Sequence, residues 1–166
     1  MEPNSNIRSE TLERIPVTPE GYETIRRDLE KLKRVDRPEN IRAIEEARSH
    51  GDLSENAEYA AAKDRQGFIE GRIIELEYKL ACLEIIHPHN LPKDRAVFGS
   101  RVLLENLETG QDVEYQLVGP DESDVENGRI SIVSPLGRAI LGRKPGDELV
   151  VEVPGGKRAY ELVEIL

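Results

Sequence analysis

The sequence predicts an α+β protein built as two units, an N-terminal antiparallel helical hairpin and a small antiparallel β-sheet holding one short helix. Three observations lead there. Apolar residues recur at helical spacing as far as Leu83, a break follows at His87-Pro88-His89-Asn90-Leu91-Pro92, and beyond it the apolar period becomes two. A chain of 166 residues is enough for two compact units of this kind and too short for a large enzyme barrel.

Residues 1–15 carry no periodicity and are expected to form a flexible tail. Thr18 is placed to cap a helix, Pro19 sits at the first helical position where its missing N–H costs nothing, and Glu20 follows at the positive end of the helix dipole. Apolar side chains then recur at Tyr22, Ile25, Leu29 and Leu32 and resume at Ile41, Ile44 and Ala47. Pro38 predicts a kink or restart near Arg37, and Gly51 supplies the left-handed position that ends the helix. A second run, starting directly after Gly51, carries Ile69, Ile73, Leu76, Leu80 and Leu83 at heptad spacing. So short a connection forces the two helices side by side as a coiled-coil finger over residues 16–87, roughly 45 Å long at 1.5 Å per residue, with Gly51 and Asp52 at its far tip. Residues 88–96 read as a linker and 97–166 as the sheet unit. In that unit Val113, Tyr115 and Leu117, Ile130 and Ile132, and Leu149, Val151 and Val153 alternate with polar residues, and Gly- and Pro-containing turns separate them. Ser134 followed by Pro135 announces the short helix.

Composition narrows the function. The 33 acidic residues exceed the 23 Lys and Arg, giving a net charge of −10. Neither half is basic: up to His89 there are 14 Lys and Arg against 19 Asp and Glu, and after it 9 against 14, so each half carries −5. A stand-alone nucleic-acid binder, which holds phosphates through Lys and Arg, is disfavoured. No apolar run approaches the roughly 20 residues of a membrane span, the first 16 residues lack a signal-type apolar stretch, and the protein is expected in the cytoplasm. Cys82 is the single cysteine, and His87 and His89 in the linker have no third ligand in view, so disulfide and structural-zinc chemistry are not expected.

Chemistry concentrates in Gly51-Asp52-Leu53-Ser54-Glu55-Asn56-Ala57-Glu58-Tyr59, where three carboxylates and two short polar side chains gather at the turn of the finger. Two readings fit this spacing. Asp52 and Glu55 match a capping box, each side chain satisfying a backbone N–H of the other. Alternatively the pair, projecting from a tip, offers oxygen ligands to a hard cation such as Mg²⁺, which usually shares a protein site with waters and substrate phosphates. Capping and metal binding are compatible, because a carboxylate has several lone-pair directions. A finger of this kind is no enzyme alone; it can donate half a site to a partner that already holds a metal and a phosphodiester.

The same tip segment, the kink at Arg37-Pro38-Glu39, and the run Ser134-Pro135-Leu136-Gly137-Arg138-Ala139-Ile140-Leu141-Gly142 together resemble the bacterial Gre transcript-cleavage factors over about Pro16 to Leu166. The resemblance implies a C-terminal unit similar to the FK506-binding-protein fold, docking at the mouth of the secondary channel of bacterial RNA polymerase. The finger is then expected to enter that channel when the enzyme has backtracked and its RNA 3′ end is extruded. The family's acidic pair falls on Asp52 and Glu55, which would hold the second, weakly bound Mg²⁺ of the polymerase active centre, with no ion expected on the free protein. The protein would thereby activate the polymerase's own transcript cleavage, rescue arrested complexes, and act as a monomer away from membranes.

Neighbouring residues carry two readings each. Ser54 and Asn56 can orient an attacking water or cap the helix. Tyr59 can stack on an extruded base or pack on the facing helix. Arg42, Arg48, Lys63 and Arg65 can contact backtracked RNA, but Glu45, Glu46 and Asp64 lie among them and no extended basic patch results. The chain in this respect resembles the A type of the family, suited to short backtracks, more than the B type with its denser basic patch. Two other function classes are weighed: a regulator that occupies the channel without cleaving, against which both acids of the tip stand, and a prolyl isomerase. For the latter the sheet unit offers only Phe98, Tyr115 and Tyr160 to line an apolar proline pocket, and fold likeness alone carries no activity.

Overall fold

The computed structural model describes residues 14–52 and 56–166. The first helix, α1 (Pro19–Lys31), opens as its sequence predicts: Thr18 is extended, its Oγ1 accepts from the Gly21 N–H at 3.1 Å, and Pro19 occupies the first turn. The helix passes through a π turn, Leu32–Asp36, into α2 (Arg37–Ser49). This is the form the kink at Pro38 takes. Proline has no N–H for the preceding turn and its ring crowds the carbonyl there; a turn widened by one residue, closed by the Arg37 N–H on the Leu32 carbonyl, accommodates both defects.

The long helix α3 (Ala57–Cys82) packs against α1 and α2. Ile25, Ile44, Ala47, Ala62, Ile69, Ile73 and Leu76 are buried between them. Ile41 is not part of this seam. It is 44 % exposed, and Asn40, 2 % exposed, takes the inward place. At about 100° per residue, Asn40, Ile44 and Ala47 lie on a narrower stripe than Ile41, Ile44 and Ala47 do, so helix geometry overrides hydrophobicity at this position. The Asn40 Oδ1 has no hydrogen-bond partner among the described residues. Across the seam the Arg37 guanidinium forks onto the Glu70 carboxylate at 2.7 and 2.8 Å, and Lys33 pairs with Glu77. The hydrogen bond between Arg37 and Glu70 is the main cause that raises the arginine's pKa and lowers the glutamate's.

Three expectations for the finger need correction. Helix α3 begins at Ala57 rather than directly after Gly51, and Leu83 leaves it for a strand. That strand, β2 (Leu83–Ile85), pairs in parallel with β1 (Ile15–Val17), so strands do occur before His87 and Ile15 belongs to the finger's base rather than to a tail. The Ile86 N–H extends the pairing onto the Val17 carbonyl at 2.9 Å.

After the linker a five-stranded sheet runs in the order β5-β4-β3-β7-β6, formed by β3 (Arg101–Asn106), β4 (Asp112–Val118), β5 (Arg129–Ser131), β6 (Glu148–Val153) and β7 (Gly156–Ile165). It is antiparallel except between β4 and β5, which pair in parallel from Gln116↔Arg129 to Val118↔Ser131. No hairpin joins those two strands. The chain passes through two 3-10 turns, Pro120–Glu122 and Val125–Asn127, and Gly128, with φ of +73°, turns it back in the same direction. One short helix, α4 (Pro135–Ile140), is capped by the Ser134 Oγ, which accepts from the Gly137 N–H at 3.1 Å; the Ser131 carbonyl leaves no room for a side chain at Gly137. Val102, Leu104, Leu117, Ile130, Ile140, Leu149, Val151 and Leu162 form the core, whose members among the described residues all lie from Ala96 onward. Among the described residues no helix is long and apolar enough to cross a membrane.

Candidate functional site at the finger tip

Helix α2 ends at Ser49, the His50 N–H closes its last turn on the Ala47 carbonyl, and Gly51 at φ +106° adopts a conformation that other residues rarely reach. Asp52 follows and is exposed. Ser54 and Glu55 lie outside the described residues. The chain then enters α3 through Asn56, whose carboxamide works at both ends. Its Oδ1 accepts from the Tyr59 N–H at 3.1 Å, capping α3, while its Nδ2 donates to the Ala47 carbonyl at 2.7 Å, satisfying the end of α2. A carboxamide combines a donor and an acceptor on so short a stem, and that is what closing two helix ends with one side chain requires. The cap of α3 is therefore Asn56, so a capping box of Asp52 and Glu55 is not what opens this helix.

The other predicted tip residues separate by depth along the finger. Tyr59 is half-buried with the Arg48 guanidinium 5.9 Å from its ring centre, a cation–π contact on the facing helix. His50 Nε2 and Glu58 Oε2 approach to 4.0 Å, and both side chains are largely in solvent. Lys63 donates to Gln66 at 2.8 Å on the outer surface of α3. Arg42 and Arg65 are exposed about two turns below the tip, so only Arg48 of the four basic candidates reaches the loop region. Sequence reasoning did not anticipate the bond from Asn56 to Ala47; the short polar side chain three residues before Tyr59 announced the cap alone.

An open cleft at the tip is lined by His50, Asp52, Asn56, Ala57 and Glu58. Among the described residues no group of three or more His, Cys, Asp or Glu side chains is placed to hold a metal ion. The donor chemistry at the tip, carboxylate oxygen at the solvent-facing end of a long arm, suits a hard cation completed by waters and by another molecule's ligands. The sheet unit carries a different feature, an apolar groove lined by Tyr115, Val125, Ile130, Pro135, Leu136 and Val153 among others. Among the described residues Tyr115 is the one aromatic ring lining it, and burial pushes its phenol pKa up.

Fold and tip define a class: a protein that presents acidic side chains at the end of a two-helix arm and carries the arm on a separately cored sheet unit. The chain belongs to the GreA/GreB family of transcription elongation factors. The family's N-terminal region, described as transcription elongation factor, N-terminal, matches residues 15–85, and its GreA/GreB C-terminal region matches residues 91–166. Transcription elongation factor GreA of Neisseria meningitidis serogroup A is 53 % identical over 155 residues, covering 93 % of this chain and 98 % of that protein. The GreA of Syntrophobacter fumaroxidans is 53 % identical over 152 residues, covering 92 % and 97 %. Among solved structures, the GreA factor homolog 1 (Gfh1) protein of Thermus thermophilus is 31 % identical, covering 93 % of this chain and 99 % of that one, with a TM-score of 0.42.

Proposed function

We propose that this elongation factor inserts its finger through the secondary channel of bacterial RNA polymerase and stimulates the enzyme's own cleavage of backtracked RNA 3′ ends, with the sheet unit docked at the channel mouth. The observation that carries the reading is the exposed Asp52 at the end of an arm roughly 45 Å long, just past a helix terminus that Asn56 ties to the returning helix. Asp52 and Glu55 would hold Mg²⁺ jointly with polymerase carboxylates; when bound, such an ion supplies charge stabilisation to an in-line phosphodiester hydrolysis. The chain's own part is to bring two carboxylates to the extruded RNA and to keep them there. It supplies no complete active site, so cleavage belongs to the polymerase and this protein activates it. A net charge of −10 supports delivery by a protein partner rather than by free RNA. On this reading the factor acts as a monomer in the cytoplasm.

The test is a stalled, backtracked elongation complex carrying labelled RNA, supplied with Mg²⁺ and saturating factor. Asp52→Ala and Glu55→Ala variants should bind the complex as the parent does and lose stimulated release of 3′ fragments. Cleavage at the parent rate by either variant at full occupancy would reject the reading, and a parent protein that binds without cleaving would make it a channel-occupying regulator.

A further inference from the structure

The two units meet at a buried carboxylate that the proposed chemistry does not use. Glu122, in the 3-10 turn after β4, has a side chain 4 % exposed and lies against the start of α1. Its Oε1 accepts from the Thr18 hydroxyl and from Arg129 Nη2 at 3.2 Å; its Oε2 accepts from the Gly119 N–H at 3.0 Å and the Thr18 N–H at 3.4 Å. Thr18 in turn accepts from the Gly21 N–H, and from Arg129 at 3.4 Å. The four hydrogen bonds this carboxylate accepts come from Thr18, Gly119 and Arg129, and the positive end of α1 lies beside them. Gly21 fits the same design, because a Cβ there would run into the Glu122 carboxylate. Lys79 of α3 reaches Asp121 next door at 3.1 Å.

Among the described residues the sheet core cluster includes none from the finger, and this polar cluster is a buried tie between the two units. We infer that Glu122, with Thr18, Arg129 and Gly21, is a positioning latch that fixes the direction of the finger relative to the docked sheet unit. Its leverage is large. On an arm of about 45 Å, a rotation of about 5° at the base moves the tip by about 4 Å, and misplacement by about 1 Å can cost a reaction about a hundredfold. The latch therefore acts on catalysis through the tip, and this consequence rests on the function proposed above.

Glu122→Gln keeps the shape but turns an N–H₂ toward donors; Gly21→Ala keeps the charge and wedges the joint; Thr18→Ser keeps every bond. Spin labels on Glu45→Cys and Glu108→Cys, both exposed, report the finger-to-sheet distance, with Cys82 buried and out of reach. The distance distribution should be narrow in the parent and in Thr18→Ser, and about twice as broad in Glu122→Gln and Gly21→Ala. In the backtracked complex the two broadened variants should cleave at least about tenfold more slowly at saturation, with half-saturating concentration changed less than about threefold. Unchanged distributions, or broad ones with the parent's cleavage rate, would overturn the latch, as would a defect that appears only in the half-saturating concentration. Should Glu122→Gln fail to fold, Gly21→Ala decides. If the parent itself stimulates no cleavage, the functional reading falls while the distance measurement still decides whether the latch exists.

Discussion

In the sheet unit Val102, Leu104, Leu117, Ile140 and Leu162 are fully sealed from water, whereas the finger buries one line of side chains between helices and presents charge and scattered apolar groups outside. Phe68, Ile74 and Tyr78 on α3 stay more than 60 % exposed, as do Val125 and Val150 of the sheet unit, so the difference between the units lies in their interiors and not in their surfaces. On the proposed function the contrast divides the work: a cored unit serves as a fixed anchor, while a thin arm has only a seam, its end caps and its base to keep it straight.

The largest expected effect breaks the contrast at its strong side. Leu104→Ala should cost about 2–5 kcal/mol, because removing a fully buried side chain from a closed core leaves a cavity that rigid strands fill poorly. Leu76→Ala in the seam should lie near the lower end of that range, since two helices flanked by solvent relax more easily. Hydrogen exchange resolved by segment checks both, with loss of protection confined to residues 101–165 in the first variant and to the finger in the second.

The pattern of what the sequence disclosed follows the same division. Caps and breaks are local chemistry, so Thr18-Pro19, Gly51 and Ser134-Pro135 were legible, as was the seam at Ile69, Ile73 and Leu76. Pairings between distant segments were not. Three-residue strands at Ile15 and Leu83 leave no periodicity to read, and the parallel pairing of β4 with β5 depends on two 3-10 turns that look like ordinary loop sequence. Glu122 reads as one more surface acid until the fold brings Thr18 and Arg129 to it. At the tip the acidic cluster was visible and both Asp52 and Asn56 were capping candidates; the geometry selects Asn56 and adds its bond to the Ala47 carbonyl.

A smaller, opposite effect is expected at Asn40. Its buried Oδ1 lacks a partner among the described residues, so Asn40→Leu should stabilise the finger by about 1 kcal/mol and raise its thermal midpoint, with the sheet unit unchanged. Destabilisation would mean that the amide holds a water or sets helix register instead. The smallest effect lies at Arg37 and Glu70. Glu70 is held below the usual carboxylate range by its hydrogen bond to Arg37, so the pair's contribution is complete above that range and is lost as pH falls through the lowered folded value. Both side chains are more than a third exposed, so screening keeps the contribution small. Arg37→Gln should flatten this acid slice of the finger's melting curve, and its disappearance in high salt would be the check.

The proposed function requires the acids of the tip to act as cation ligands. The direct measurement is the single-turnover rate of 3′ cleavage in a backtracked complex, with factor saturating, titrated with Mg²⁺ and then Mn²⁺ for the parent, Asp52→Asn and Glu55→Gln. The amides keep size and much of the hydrogen bonding but remove the charge that attracts an ion. Each variant's curve should be displaced to higher metal concentration, recover part of its rate at high Mg²⁺, and recover more with Mn²⁺, which binds such ligands more tightly. Variant curves lying below the parent's by one constant factor at every concentration of both metals would contradict the ligand role and leave the acids with a purely geometric one.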